Sequence, residues 1–245
     1  MNEILYFIFA IIPAVLWIWF FRRRDRSEPE PVRLLIIAAL AGALVVIPAA
    51  YLEIFIIQNM LPNFFSFIGI NYSYIAYFLI VGLIVVAVIE EVFKFLAVRF
   101  SVYYSEYFNE FSDGIIYMVS AAFGFAAFEN FLYFLHFGNE IIFARSLLTP
   151  LFHASASAIV GHYLGLYKFE KKIRKKIFFA IIFASIIHFF YNFLVFSSSI
   201  SGNFLYMILA VGFLVLSAKW MFDKFRDAEE RGVSKLLAKI ISFPK

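Results

Sequence analysis

The chain has 245 residues, of which 64% are hydrophobic, and its mean hydropathy is +0.88. This apolar share lies well above the ~45–50% of soluble domains and excludes a soluble globule. The absence of cysteine excludes disulfides and thiolate metal sites. The net charge of +4 comes from Lys and Arg residues between apolar segments, so we expect the lipid bilayer as a partner and no nucleic acid.

Successive apolar segments of about 20 residues predict an all-α, polytopic transmembrane helical bundle of seven or eight spans. We expect one integral membrane domain, 1–245, that ends in a charged cytoplasmic tail, 223–245. Pro48 predicts a kink in the second span, the stretch 59–71 predicts a loop, and the tail predicts a short helix on the membrane surface. The predicted spans are Ile4–Phe21, Leu34–Ile57, Ile75–Val98, Ile115–Phe137, Leu147–Tyr167, Ile177–Phe196 and Phe204–Phe222.

The basic residues predict the orientation of these spans. With seven spans, 19 of the 21 Lys and Arg residues fall on one side, Arg145 falls on the other, and Lys94 lies within the third span. Because cytoplasmic loops carry the excess of basic residues, we expect a multi-pass cell membrane protein with its N-terminus outside and its C-terminus in the cytoplasm.

The third span contains Glu90, Glu91 and Lys94 at membrane depth. Each ionisable side chain there costs about 2.5–3.5 kcal/mol on insertion scales, so a function is expected. Glu90 and Lys94 are one helical turn apart, and Glu91 lies about 100° round the helix with Lys94 still in reach. The spacing predicts that one carboxylate is held by the ammonium and that the other is available for chemistry. The alternative is a buried ion pair that only fixes helix register.

The next three spans also carry polar side chains, within a motif-bearing core of about 75–196. These side chains are Glu129 and Asn130 in the fourth span, His153 and Ser157 in the fifth, and His188 and Asn192 in the sixth. Polar groups left in lipid would be unsatisfied, so four successive polar helices predict one shared cavity among the third to sixth spans.

This set of side chains is typical of water activation. A carboxylate beside an imidazole can move a proton from water to a leaving amine, while a second imidazole and an amide stabilise an oxyanion. The same groups suit a divalent metal such as zinc, for which Glu129, His153 and His188 are the candidate ligands. Two alternatives remain open, polar packing without chemistry and an ion- or proton-coupled transporter, although no internal repeat supports a transporter.

Five segments in order resemble the motifs of the PrsW intramembrane proteases, in the clan of the CAAX prenyl endopeptidases and the bacteriocin-processing abortive-infection proteases. They are 90–94, 113–117, 124–130, 148–153 and 188–192. The resemblance implies an endopeptidase that cuts a membrane-bound protein or peptide, and the family's known role is the first cleavage of an anti-sigma factor. Phe95 and Thr149 depart from the CAAX pattern, so a prenylated substrate is not expected.

The resemblance also implies roles for individual residues. It makes Glu90 or Glu91 the general base with His153, and makes His188 and Asn192 oxyanion stabilisers; the role of Glu129 stays open. Lys94, Asn130 and Ser157 are then supporting residues.

The depth of the site follows from the helical rise. At about 1.5 Å per residue, Glu129, His153 and His188 count to between the midplane and the outer face, and predict a cut in the outer part of a single-pass substrate. Counted from Ile75, Glu90 falls about 22 Å below the outer boundary and disagrees with the other three.

Overall fold

The structure is a computed structural model that describes residues 3–26, 28–67, 75–170 and 174–241. Its described residues form helices joined by short turns and contain no strand, which confirms the all-α bundle. A π-helical turn spans Ile56–Met60, and a 3-10 turn spans Gly138–Ile141. The helices are α1 (Glu3–Arg24), α2 (Val32–Leu44), α3 (Val46–Phe55), α4 (Leu61–Phe67), α5 (Ile75–Ser101), α6 (Phe111–Phe137), α7 (Ile142–Glu170), α8 (Arg174–Ser201) and α9 (Phe204–Ile241).

Five stretches of the described chain are long and apolar enough to cross a bilayer: Glu3–Arg24, Val32–Asn63, Phe111–Phe137, Lys175–Ser201 and Phe204–Ser234. The helices α5 and α7 are also long. α5 contains Glu90, Glu91 and Lys94, and α7 is rich in Ala, Ser, Gly and His. Ionisable and small polar side chains inside long helices are expected to line a polar site and not to face lipid.

Helix α6 is the centre of the bundle. In its most apolar stretch 78% of residues are buried, against 22–28% in the other four spans. Those outer helices expose many large apolar side chains, as surfaces that face lipid do.

Glycines allow α2 and α7 to approach α6 closely. A Cβ added at Gly124 would lie 1.8 Å from the carbonyl oxygen of Ala39 in α2. One added at Gly114 would lie 2.3 Å from the carbonyl oxygen of Gly161 in α7. Small residues at such crossings let membrane helices pack backbone to backbone, so α6 is held between α2 and α7.

The second span is interrupted close to the predicted kink. α2 ends at Leu44 and α3 begins at Val46. Pro48 has no N–H to donate to the carbonyl of Leu44 four residues earlier, and its ring crowds that carbonyl.

Two other local predictions are wrong. Within the predicted loop 59–71, the π turn and α4 continue the helix to Phe67, because Pro62 lies in the first turn of α4, where a missing N–H is tolerated; 68–71 lies outside the described residues. The tail is not a separate helix, since α9 runs unbroken to Ile241. Two (i, i+3) ion pairs, Lys224–Asp227 and Asp223–Arg226, support its charged half.

Candidate active site

The ammonium of Lys94 lies at the centre of the polar cluster between α5, α6, α7 and α8. Its Nζ is fully buried and lies 3.1 Å from Glu90 Oε2, 2.9 Å from Glu91 Oε1 and 2.8 Å from His153 Nδ1. It also lies 4.4 Å from the centre of the Phe125 ring. The contacts with both glutamates are those that the helical spacing predicts.

Glu91 is the more firmly held of the two neighbouring carboxylates. Its Oε1 contacts Lys94 Nζ at 2.9 Å and His188 Nδ1 at 3.0 Å, and its Oε2 accepts a hydrogen bond of 2.7 Å from Ser157 Oγ. Its side chain is completely buried. Glu91 therefore ties α5 to α7 and α8, and Glu90 is the carboxylate with fewer partners.

Each of the two histidines is oriented by a carboxylate on its far side. Glu91 accepts from His188 Nδ1, which leaves Nε2 with its lone pair, and this Nε2 is buried without a hydrogen-bond partner. His153 Nδ1 accepts from Lys94, and its Nε2 lies 3.0 Å from Glu129 Oε2. The rings lie 5.0 Å apart at 86°. A carboxylate behind each imidazole is the arrangement that fixes the tautomer of metal-ligating histidines.

One ring nitrogen of each histidine converges with the carboxylate of Glu90. Glu90 Oε2 lies 3.7 Å from both His153 Nδ1 and His188 Nε2, and one ligand atom from each of the three residues lies within 4.8 Å of the others. Two imidazole nitrogens and one carboxylate oxygen match a common zinc shell, and an ion bound there would give the unpartnered His188 Nε2 a partner. Lys94 contacts two of these atoms, so ion and ammonium compete for them.

This group differs from the metal ligands predicted from the sequence. We expected Glu129 with the two histidines, but the structure brings Glu90 to that position and places Glu129 behind His153. The contact of Glu90 with both histidines also means that all three side chains share one depth. Counting Glu90 down from Ile75 is therefore misleading, because it assumes an upright helix that begins at the membrane boundary.

Glu129 forms the accessible side of the cluster. Its Oε1 accepts from Arg145 Nη2 at 3.0 Å, and Arg145 Nε donates to Asn130 Oδ1 at 3.0 Å. The Tyr133 ring lies 3.6 Å from the guanidinium carbon. The side chains of Glu129 and Arg145 are 17% and 22% exposed, whereas that of Glu91 is fully buried. Glu129 and Arg145 are therefore the edge of the cluster that lies nearest the protein surface.

Two neighbours of the cluster had no role in the sequence-based set. Arg145 stood out in the sequence only as the lone basic residue on the predicted outer side. Nothing in the sequence pattern predicted its contact with Glu129. Tyr133 looks like any aromatic residue of an apolar helix. Glu53 of α3 also lies within electrostatic range of Glu129 and Lys94.

Two predicted elements lie apart from the cluster. Asn192 is half-buried one turn beyond His188, and no hydrogen bond within the described part of the chain involves it. The motif from Asp113 to Tyr117 lies at the opposite end of α6, where the Tyr117 hydroxyl donates to Glu30. Asn192 keeps its predicted role as an oxyanion donor only as a hypothesis.

The fold and this cluster define a class of protein, a membrane-embedded hydrolase whose imidazoles and carboxylates are assembled from four helices inside the bilayer. Comparison with known proteins identifies the particular group. Residues 30–217 match the PrsW family of intramembrane metalloproteases, and the chain belongs to this family of membrane proteases.

Several similar proteins carry the printed name Protease PrsW. The one from Bacillus subtilis is 28% identical over 93% of this chain and 96% of its own length. That from Oceanobacillus iheyensis is 30% identical over 89% and 92%, and that from Geobacillus kaustophilus is 34% identical over 68% of each chain. No solved structure matches at a significant level. The resemblance seen in the motifs is confirmed, and the transporter alternative is not favoured.

Proposed function

We propose that this intramembrane protease binds one divalent ion, zinc, through Glu90 Oε2, His153 Nδ1 and His188 Nε2. The observation that supports this most strongly is the convergence of these three atoms from α5, α7 and α8 within 4.8 Å of one another. When bound, the ion supplies a Lewis acid for the scissile carbonyl and makes water a stronger nucleophile. Glu91 and Glu129 orient the two imidazoles from behind.

Lys94 is the proposed oxyanion donor. Its ammonium has three N–H donors, now directed to Glu90, Glu91 and His153. With an ion held by Glu90 and His153, Lys94 would keep its contact with Glu91, and its remaining donors would face the charge that develops on the carbonyl oxygen. Hydrogen-bond donors directed at that position stabilise the transition state. Asn192 is the second candidate donor, from the same helix as His188.

Glu129 is the proposed carrier of the proton. It is the most exposed carboxylate in the cluster, Arg145 holds its Oε1, and its Oε2 faces the cluster beside His153. For this role Oε2 must turn from His153 Nε2 toward the reaction centre, where it accepts the proton from the attacking water and returns it to the leaving amine. The attack forms the new C–O bond, and transfer of the proton to nitrogen completes cleavage of the C–N bond.

The substrate that suits this site is a single-pass membrane protein, with an anti-sigma factor as the proposed example. The excess of basic residues on one side supports an external N-terminus and a cytoplasmic C-terminus. In that orientation Glu129 and Arg145 lie toward the outer end of α6 and the start of α7. We therefore expect the cut in the outer hydrocarbon or outer juxtamembrane part of the substrate.

Elemental analysis of the active, detergent-purified full chain tests the metal centre. We expect about one zinc per chain, loss of cleavage of a single-pass reporter after chelation, and recovery when zinc is restored. The variant Glu90→Gln should lose both metal and cleavage, while Glu230→Gln, at an exposed position on α9, should keep both. Full cleavage by metal-free protein would overturn the metal proposal.

Mass-spectrometric mapping of the reporter fragments tests the site of cleavage. A new terminus in the outer half of the reporter span is expected. A terminus on the cytoplasmic side would contradict the proposed orientation or depth, and a reporter with a cysteine accessible from one known side would tell these two apart.

A further inference from the structure

A second group of carboxylates lies at the far end of α6 from the active site. Asp25 follows α1, Glu110 precedes the first turn of α6, and Glu229 lies on α9. One carboxylate oxygen from each lies within 4.8 Å of the others. Glu110 and Glu129 are 19 positions apart in the sequence. That separation corresponds to about 28 Å of helix, so this acidic cluster (Asp25, Glu110 and Glu229) is separate from the catalytic groups.

Each carboxylate of the acidic cluster is held in place by a backbone amide. The N–H of Glu30 donates to Asp25 Oδ2 at 2.9 Å, and the N–H of Arg26 donates to Glu229 Oε2 at 2.8 Å. The Glu110 side chain accepts the backbone N–H of Asp113 in a capping box. These bonds fix the three side chains from three separate parts of the chain, as the walls of a binding site must be fixed.

The remaining oxygens of Asp25 and Glu229 have no partner. Asp25 is 3% exposed and Glu229 is 6% exposed, and Asp25 Oδ1 and Glu229 Oε1 are both buried without a hydrogen bond. None of the ion pairs in the described ranges involves Asp25 or Glu229. A buried carboxylate oxygen without a donor is costly, and a missing ion is one of the ordinary explanations for it.

Neighbouring groups add to the negative charge rather than balance it. Burial raises the pKa of Asp25 to about 8, and the carboxylates of Glu229, Asp113 and Glu110 contribute to the rise. Asp113 itself is fully buried and its Oδ1 has no partner. These acidic neighbours add to the cost of leaving Asp25 Oδ1 and Glu229 Oε1 unpaired.

We propose that Asp25, Glu110 and Glu229 form a structural site for a hard divalent cation, Mg²⁺ or Ca²⁺, which joins the ends of α1 and α6 to α9. The ligands are all carboxylate oxygens, which hard cations prefer and which suit zinc less well than the imidazoles of the active site do. Glu229 also borders an open cavity of about 700 Å³ between α1 and α9. Arg24, Arg26 and Arg226 line the same cavity, and their charges oppose tight binding.

The test is a titration of the purified full chain with MnCl₂, followed by electron paramagnetic resonance of free Mn²⁺, and with MgCl₂ and CaCl₂, followed by the melting temperature. We expect a dissociation constant of about 10⁻⁴–10⁻³ M, at the weak end of protein calcium sites. The melting temperature should rise with ion concentration, as it does for any ligand that binds only the folded state.

The matched variants are Glu229→Gln and Glu230→Gln, adjacent glutamates of which the first is buried and the second is exposed. Glu229→Gln should weaken Mn²⁺ binding at least about tenfold and remove the thermal shift, whereas Glu230→Gln should leave both unchanged. Asp25→Asn should behave like Glu229→Gln, and it is the replacement test if Glu229→Gln does not fold.

The number of Mn²⁺ ions bound per chain distinguishes the acidic site from the active site. If Mn²⁺ also binds there, wild type takes one more ion per chain than Glu229→Gln, and His188→Ala loses the other. Equal Mn²⁺ binding by Glu229→Gln and Glu230→Gln, or no thermal shift with either MgCl₂ or CaCl₂, would overturn the acidic site without affecting the proposed catalytic metal. Protons would then be what neutralises this cluster.

Discussion

Two polar clusters lie along α6, and they differ in how their buried carboxylate charge is compensated. Around Lys94, a buried ammonium contacts two carboxylates and an imidazole, so negative charge in the bilayer core has a partner from the protein itself. In the acidic cluster, Asp25 and Glu229 receive only backbone N–H groups, and one oxygen of each is left unpaired. The carboxylates of Glu90 and Glu91 therefore have a cationic partner within the chain, whereas Asp25 Oδ1 and Glu229 Oε1 have no partner among the described residues.

The comparison shows that burial and function are separable. A balanced cluster can remain at membrane depth because its members neutralise one another, and it becomes reactive when the partners are exchanged. An unbalanced cluster can be buried only near the end of the helices, where water and ions reach it and the N-terminus of α6 favours negative charge.

The largest effect is expected from Lys94→Met, which removes the ammonium that contacts both Glu90 and Glu91. Breaking a buried ion pair leaves uncompensated charge and costs about 3–5 kcal/mol, so a large loss of folded protein is expected. The double variant Lys94→Met with Glu91→Gln should recover part of this loss. Thermal unfolding of the single and double variants measures the coupling, and simple additivity would show that the cluster is not a unit.

Glu90→Gln and Glu91→Gln test whether the two adjacent carboxylates beside Lys94 have different roles. We expect both to lower the cleavage rate by about 10²–10⁴-fold, because one removes a ligand of the reaction centre and the other frees His188 and Lys94. Only Glu91→Gln should also lower the melting temperature markedly, since Glu91 contacts Lys94, His188 and Ser157. Equal loss of stability in both variants would contradict the assignment of Glu91 as the held carboxylate.

Gly124→Ala tests whether close packing of α2 on α6 supports the site. An added Cβ would lie 1.8 Å from the carbonyl oxygen of Ala39, so the helices must separate, at a cost of about 1–3 kcal/mol. Gly212→Ala is the control, because nothing lies within 4 Å of its added Cβ. A melting temperature for Gly124→Ala no lower than that of the control would show that α2 and α6 are free to adjust.

Arg145→Ala should have a smaller effect on activity. The guanidinium is partly exposed, so its pair with Glu129 contributes little to stability, but it fixes the orientation of the proposed proton carrier. We expect a decrease of about tenfold in kcat with little change in KM. A change confined to KM would instead place Arg145 in substrate binding.

Tyr117→Phe makes the smallest expected change and falls beside the acidic cluster. It removes the hydroxyl that donates to Glu30 and should cost about 1 kcal/mol without affecting cleavage. A loss of activity comparable to that of Arg145→Ala would show that the two ends of α6 are coupled.

The amino-acid sequence alone established the all-α membrane bundle, and it predicted one polar cluster among the third to sixth spans. Apolar length, the cost of charge in hydrocarbon and the one-turn spacing of Glu90 and Lys94 are local properties that need no fold to be recognised. The kink close to Pro48 follows in the same way from its missing N–H.

The different contacts of these residues, by contrast, depend on the tertiary structure. Glu90 and Glu91 are adjacent in sequence and chemically identical, and what distinguishes them is the placement of Ser157 and His188 on two other helices. Three further features depend on the tertiary structure in the same way. Glu90, and not Glu129, lies beside both histidines, and Arg145 contacts Glu129. The carboxylates of Asp25, Glu110 and Glu229 also converge. Each depends on distances between helices, which are set by packing at small residues such as Gly124 and Gly161 and not by spacing along one chain segment.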